Sequence, residues 1–110
     1  MFKIETEITF DAAHKLDLDY DSPCCNLHGH RWRCVIRCAR PELDKNGMVI
    51  DFSDIKAITR ALDHKDLNTL FEFNTTAENL AKWLCDKIPF CYEVEVYETE
   101  KNKATYTKEI

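Results

Sequence analysis

The chain has 110 residues, 45% of them hydrophobic and 32% charged, with only two glycines and three prolines. That length suits one domain around a single core, and that balance excludes disordered, low-complexity and collagen-like chains. Acidic residues outnumber basic ones 20 to 15, and the net charge of −5 argues against a dedicated nucleic-acid binder.

Residues 2–10 read as a strand, because Phe2, Ile4, Ile8 and Phe10 alternate with Lys3, Glu5, Glu7 and Thr9. This opening stretch is no signal-peptide core, and no apolar run reaches the ~18 residues of a membrane helix, so a cytoplasmic protein is expected. Residues 15–26 carry charge, Pro23 and little periodicity, and read as a loop. A second strand spans 27–39, with His28, His30, Trp32, Cys34, Ile36 and Cys38 on one face and Arg31, Arg33 and Arg37 on the other. Pro41 ends it, and DKNG at 44–47 is a turn signal, so the first two strands are expected to pair antiparallel.

Ser53 is the expected N-cap of a short helix with Ile55, Ile58 and Leu62 at helical spacing. Thr75 and Glu78 form a T-x-x-E capping box before a second helix, whose face carries Ala77, Leu80, Ala81, Leu84 and Ile88. Pro89 stops that helix. Residues 92–98 alternate again, with Tyr92, Val94 and Val96 inward and Glu93, Glu95 and Tyr97 outward, and a last strand occupies 104–108. The order ββααββ predicts an α+β domain with both helices on one face of an antiparallel sheet. Its two open edges favour association of subunits through their sheets.

Of the six cysteines, Cys34, Cys38, Cys85 and Cys91 sit inside apolar patterns, where reduced cysteine packs as a small hydrophobe. The chemistry gathers elsewhere. His28 and His30 share a strand face about 6.6 Å apart, close enough for two imidazoles to converge on one ion. His14 follows the first strand at the end that abuts His28 in an antiparallel pair. Three neutral imidazoles with an open fourth position are the donor set of a catalytic zinc site. Cys24, four residues before His28, is a candidate thiolate base, with Cys25 beside it as a competitor. The pair Asp63–His64 offers a carboxylate able to orient an imidazole. Glu98 shares the inward register of Val94 and Val96, where a carboxylate needs a partner or a ligand.

Six motifs in order, FDAAH at 10–14, C-x-x-x-H-G-H at 24–30, IDFSDIK at 50–56, LDHKDLN at 62–68, TTAENLA at 75–81 and VYETEKNKATY at 96–106, resemble the 6-pyruvoyl-tetrahydropterin synthase family. The resemblance spans nearly the whole chain. It implies the tunnelling fold, in which ββααββ subunits join their sheets into a barrel and trimers stack into homohexamers. It further implies that His14, His28 and His30 hold Zn2+, that Cys24 is the general base, and that Asp63 and His64 complete a proton relay. Glu98 would anchor the pterin ring, helped by Thr76 at the start of the second helix. The three residues between Cys24 and His28 match the bacterial 6-carboxy-tetrahydropterin synthase branch, which serves the queuosine and 7-deazapurine pathway. The usual proline before the second helix is replaced by Thr75, itself a good cap. The implied activity converts 7,8-dihydroneopterin triphosphate to 6-carboxy-5,6,7,8-tetrahydropterin, acetaldehyde and triphosphate. Pyruvoyl-type triphosphate elimination and a non-catalytic zinc- and pterin-binding protein are the competing readings. The triphosphate has no evident basic motif beyond Lys15.

Overall fold

The computed structural model describes residues 1–108. Strands β1 (Phe2–His14) and β2 (His28–Arg40) pair antiparallel along their whole length, from Phe2 opposite Arg40 to His14 opposite His28. A single 3-10 turn, Pro23–Cys25, interrupts the connection between them. Helix α1 (Phe52–Arg60) follows, then the two-residue strand β3 (Lys65–Asp66), the short helix α2 (Leu67–Leu70) and helix α3 (Ala77–Lys87). Strands β4 (Cys91–Tyr97) and β5 (Lys103–Thr107) complete a sheet ordered β3-β1-β2-β4-β5. The α+β class and the antiparallel four-strand body are those expected from the alternation of apolar residues.

The sheet is larger than ββααββ by one strand. β3 pairs parallel with Ala12 and Ala13, and two residues are too few for any periodicity to announce them. Before Ala12, the β1 edge facing away from β2 has no neighbouring strand among the described residues, and β5 leaves the opposite edge open. Leu27 lies outside β2 and is exposed, so the strand begins at the first histidine.

Two caps differ from expectation. Asp51, not Ser53, caps α1: its Oδ1 accepts from the Ser53 N–H at 2.9 Å and the Ser53 hydroxyl at 2.7 Å. Asp outranks Ser as a cap only slightly, so the sequence alone did not separate them. Thr76, not Thr75, caps α3, its hydroxyl accepting from the Asn79 N–H at 3.2 Å. That one-residue shift frees Thr75, which is fully buried against the site.

The core lies between the helices and the sheet face carrying Phe10, Trp32, Ile36, Val94 and Val96, into which Leu80 and Leu84 of α3 pack. Each fully buried Leu or Ile there is worth roughly 1.5–3 kcal/mol. Cys34, Cys38, Cys85 and Cys91 are all buried in this layer, as their apolar surroundings predict. Glu95 faces outward as expected, yet it is buried. It is only 7% exposed, paired with both Arg37 and Lys103 on the sheet face away from the helices. Arg37 also reaches Glu5 at 2.7 Å and Glu93 at 2.8 Å, so a lattice of charges covers that face. Among the described residues, no helix is long and apolar enough to cross a membrane.

Candidate metal centre and active site

The β1–β2 register sets His14 opposite His28 and Ala12 opposite His30. Because side chains alternate across a strand, all three rings project to the helix side of the sheet at its end. Their centroids are 4.6 Å (His14–His28), 4.8 Å (His28–His30) and 5.4 Å (His14–His30) apart. Trp32 packs edge-on against His14 and His30, at 4.9 and 5.4 Å, and its indole N–H is spent on the Ala12 carbonyl at 3.2 Å.

Hydrogen bonds select the tautomers. His14 Nδ1 donates to the Thr75 carbonyl at 2.8 Å, and His28 Nδ1 donates to the Asn26 carbonyl at 2.7 Å. A carbonyl only accepts, so Nδ1 carries the proton in both rings and Nε2 presents its lone pair. The Nε2 atoms of His14 and His30 are buried without a hydrogen-bond partner. Glu98 Oε1 approaches them to 3.6 and 2.9 Å but outside hydrogen-bond geometry. A carboxylate held near the His14 Nε2 lone pair is repulsive until a cation or a proton lies between them. Ligand atoms of His14, His28, His30 and Glu98 all lie within 4.8 Å of one another. Three imidazole nitrogens and one carboxylate oxygen are the donors of a transition-metal centre. Burial pushes the His14 pKa down, with the Thr75 carbonyl and Glu98 partly opposing it, which favours the neutral ligand form.

A second cluster forms where α1 returns to the sheet. His64 has φ +58°, in the left-handed region that His visits more readily than most residues. That turn lets its N–H donate to the Asp11 carbonyl at 2.6 Å, while the Asp11 N–H donates to Asp63 Oδ1 at 2.9 Å. Asp63 Oδ2 lies 3.0 Å from His64 Nδ1, within ion-pair distance. The Asp11 N–H, and after it His64, hold the Asp63 carboxyl below the usual carboxylate range. The His64 side chain beside that carboxylate is 79% exposed. His64 and His30 both line an open groove of about 610 Å³ floored by Ala13 and Gly29. A Cβ added at Gly29 meets nothing within 4 Å, so the floor is open space and not a packed surface.

The chain thus brings His14, His28, His30 and Glu98 together, and holds Asp63 with His64 in a separate cluster. Neither Cys24 nor Cys25 belongs to either one. The Cys25 thiol points to the Tyr20 carbonyl at 3.7 Å, whereas Cys24 is tied through its backbone, accepting at its carbonyl from the Leu16 N–H at 2.7 Å. Glu98 also lines a cavity of about 300 Å³ with Ala77 and Glu78, the first turn of α3 that Thr76 caps. Sequence reasoning overlooked Thr75 and the Asn26 carbonyl as the groups that orient the histidines. Thr75 drew attention as a cap, and a backbone acceptor leaves no mark in a sequence.

The sequence profile described as 6-pyruvoyl tetrahydropterin synthase matches residues 3–109. The chain belongs to this family. It is 40% identical over 82 residues to the 6-carboxy-5,6,7,8-tetrahydropterin synthase of Haemophilus influenzae, a match covering 71% of this chain but 57% of that protein. It is 35% identical to the protein of the same name from Synechocystis, over 96% of this chain and 93% of that one. Among solved structures, the Caenorhabditis elegans 6-pyruvoyl tetrahydropterin synthase superposes with a TM-score of 0.75 at 29% identity, covering 98% of this chain and 96% of its own. The fold is the family's tunnelling fold, seen here as one open sheet.

Proposed function

We propose that this chain is a zinc-dependent carbon–carbon lyase converting 7,8-dihydroneopterin triphosphate to 6-carboxy-5,6,7,8-tetrahydropterin, acetaldehyde and triphosphate. Its place would be the cytoplasmic queuosine and 7-deazapurine pathway. The observation that carries the reading is the convergence of three imidazoles, two with buried unpartnered Nε2 atoms, in a chain of this family. The relatives named 6-carboxy-5,6,7,8-tetrahydropterin synthase in Haemophilus influenzae and Synechocystis support the choice of product.

His14, His28 and His30 would hold the zinc, oriented by the Thr75 and Asn26 carbonyls. Bound there, zinc supplies Lewis acidity toward the hydroxyl and carbonyl oxygens of the substrate side chain. Cys24, as thiolate, takes a proton from that side chain. His64 Nε2 moves a proton on the other side, and Asp63 stabilises the imidazolium that forms. Glu98 accepts the paired N–H donors of the pterin's pyrimidine edge, beside the Thr76-capped start of α3. His64 and the histidine cluster form two separate groups in one chain, and among the described residues both sheet edges are open. Both facts favour a homohexamer, a dimer of trimers, in which sheets continue across subunits and sites form between them.

Pyruvoyl-type elimination is the second reading, favoured by the likeness to the Caenorhabditis elegans synthase. Incubating the zinc-loaded protein with 7,8-dihydroneopterin triphosphate and weighing the pterin separates the two. The carboxy product is expected. A pyruvoyl product would transfer the assignment to the second reading, and unreleased triphosphate would leave a binding protein.

A further inference from the structure

Beyond His14 the chain leaves β1, and the backbone groups of its next three residues are taken up on alternate sides. On one side Asn68 accepts from the Lys15 N–H at 2.8 Å and donates to the Lys15 carbonyl at 3.0 Å. Asn74 does the same for Asp17, at 3.0 Å in each direction. On the other side the Leu16 N–H donates to the Cys24 carbonyl at 2.7 Å. In an extended chain, residues i and i+2 turn their polar groups to one edge and residue i+1 to the other. Two side-chain amides therefore do what a neighbouring strand's backbone would do, and the residue between them carries Cys24.

The Asn74 backbone is itself anchored. The Asn74 carbonyl accepts from Asn79 Nδ2 at 2.9 Å and from the Thr76 N–H at 2.9 Å, so the first turn of α3 holds it. Thr75, between them, binds His14 Nδ1 through its carbonyl and reaches the Lys15 carbonyl with its hydroxyl at 3.4 Å. One segment between α2 and α3 thus fixes both a histidine of the metal cluster and the backbone that leads to the cysteines.

We infer that Asn68 and Asn74 are positioning residues: their bidentate amide bonds to Lys15 and Asp17 hold the Cys24 loop in register with the histidine cluster. The inference rests on the assignment of the working thiol to this loop, and holds whether that thiol is Cys24 or Cys25. Neither asparagine touches the reacting atoms; each acts through the backbone.

The test uses the zinc-loaded full chain with Asn74→Ala, Asn74→Asp and Asn68→Asp. Iodoacetamide alkylation of Cys24 and Cys25, read as separate rates by peptide mass spectrometry, reports the loop without any substrate. Turnover of 7,8-dihydroneopterin triphosphate reports the chemistry. Asn74→Ala should change the Cys24-to-Cys25 rate ratio at least threefold and lower kcat about tenfold, with KM within about twofold and zinc unchanged. The Asp variants keep the acceptor, lose the donor and retain the shape, so they should fall between, and they carry the test if the alanine variant does not fold. A rate ratio and kcat within about 1.5-fold of wild type overturn the inference. A changed ratio with unchanged kcat overturns it too, because the amides would then order a loop that the reaction does not use. If the wild-type protein itself shows no turnover, the lyase assignment fails, and the alkylation ratio alone decides whether the amides set the loop.

Discussion

Glu98→Gln separates two roles that the geometry leaves in contact. Glu98 Oε1 lies 2.9 Å from His30 Nε2, yet the carboxylate also lines the cavity at the start of α3. As the pterin anchor it accepts two N–H bonds; glutamine keeps the size but turns one acceptor into a donor facing the ring's N–H edge. A hydrogen bond to a charged group is worth roughly 1.5–3 kcal/mol. The side chain is 27% exposed, so the lower end applies, and loss of one such bond corresponds to about tenfold in affinity. Titration calorimetry of the zinc-loaded protein with neopterin, which lacks the triphosphate, measures this alone. The expected result is a Kd at least about tenfold weaker with zinc content unchanged. Wild-type affinity would refute the anchor, and loss of zinc from the variant would make the carboxylate a metal ligand instead.

Cys24→Ala should abolish turnover while zinc and pterin binding persist, and Cys25→Ala should be mild; the reverse order in a kinetic assay would transfer the base to Cys25. Glu95 is held below the usual carboxylate range by Lys103 and then Arg37. A depressed folded pKa gives stability that is present above the unfolded value, about 4.3, and is lost as pH falls through the folded one. The Tm difference between wild type and Glu95→Gln should therefore be constant from about pH 6 to 8 and shrink below about pH 4. A difference independent of pH would contradict the ion-pair assignment. Sedimentation at micromolar concentration should show a species several times the mass of one chain, and an active monomer would overturn the shared-site assembly.

The strands were legible because apolar and polar residues alternate over most of β1 and β2, and that alternation alone carried His28 and His30 to one face. The antiparallel expectation then placed His14 beside His28, as the register has it. Glu98 was legible for the same reason, as a charge in an inward register, and its neighbours proved to be the imidazoles of His14 and His30. What escaped the sequence is short or made by backbone. Two residues of β3 have no period, and Asp51 and Thr76 each sit beside another competent cap. Glu95 faces outward as the alternation predicts, but its burial escaped notice because Arg37 and Lys103 cover that face, a tertiary pairing that alternation does not encode.

The central claim is that three imidazoles hold a zinc ion. X-ray absorption at the zinc edge, on protein loaded with one equivalent, tests it most directly. The expected spectrum has three nitrogen scatterers at about 2.0–2.1 Å with oxygen completing the shell, and the joint change of His28 and His30 to Ala removes the bound metal. Zinc retained undiminished in that double variant, or a sulfur scatterer at about 2.3 Å in the wild type, would contradict it.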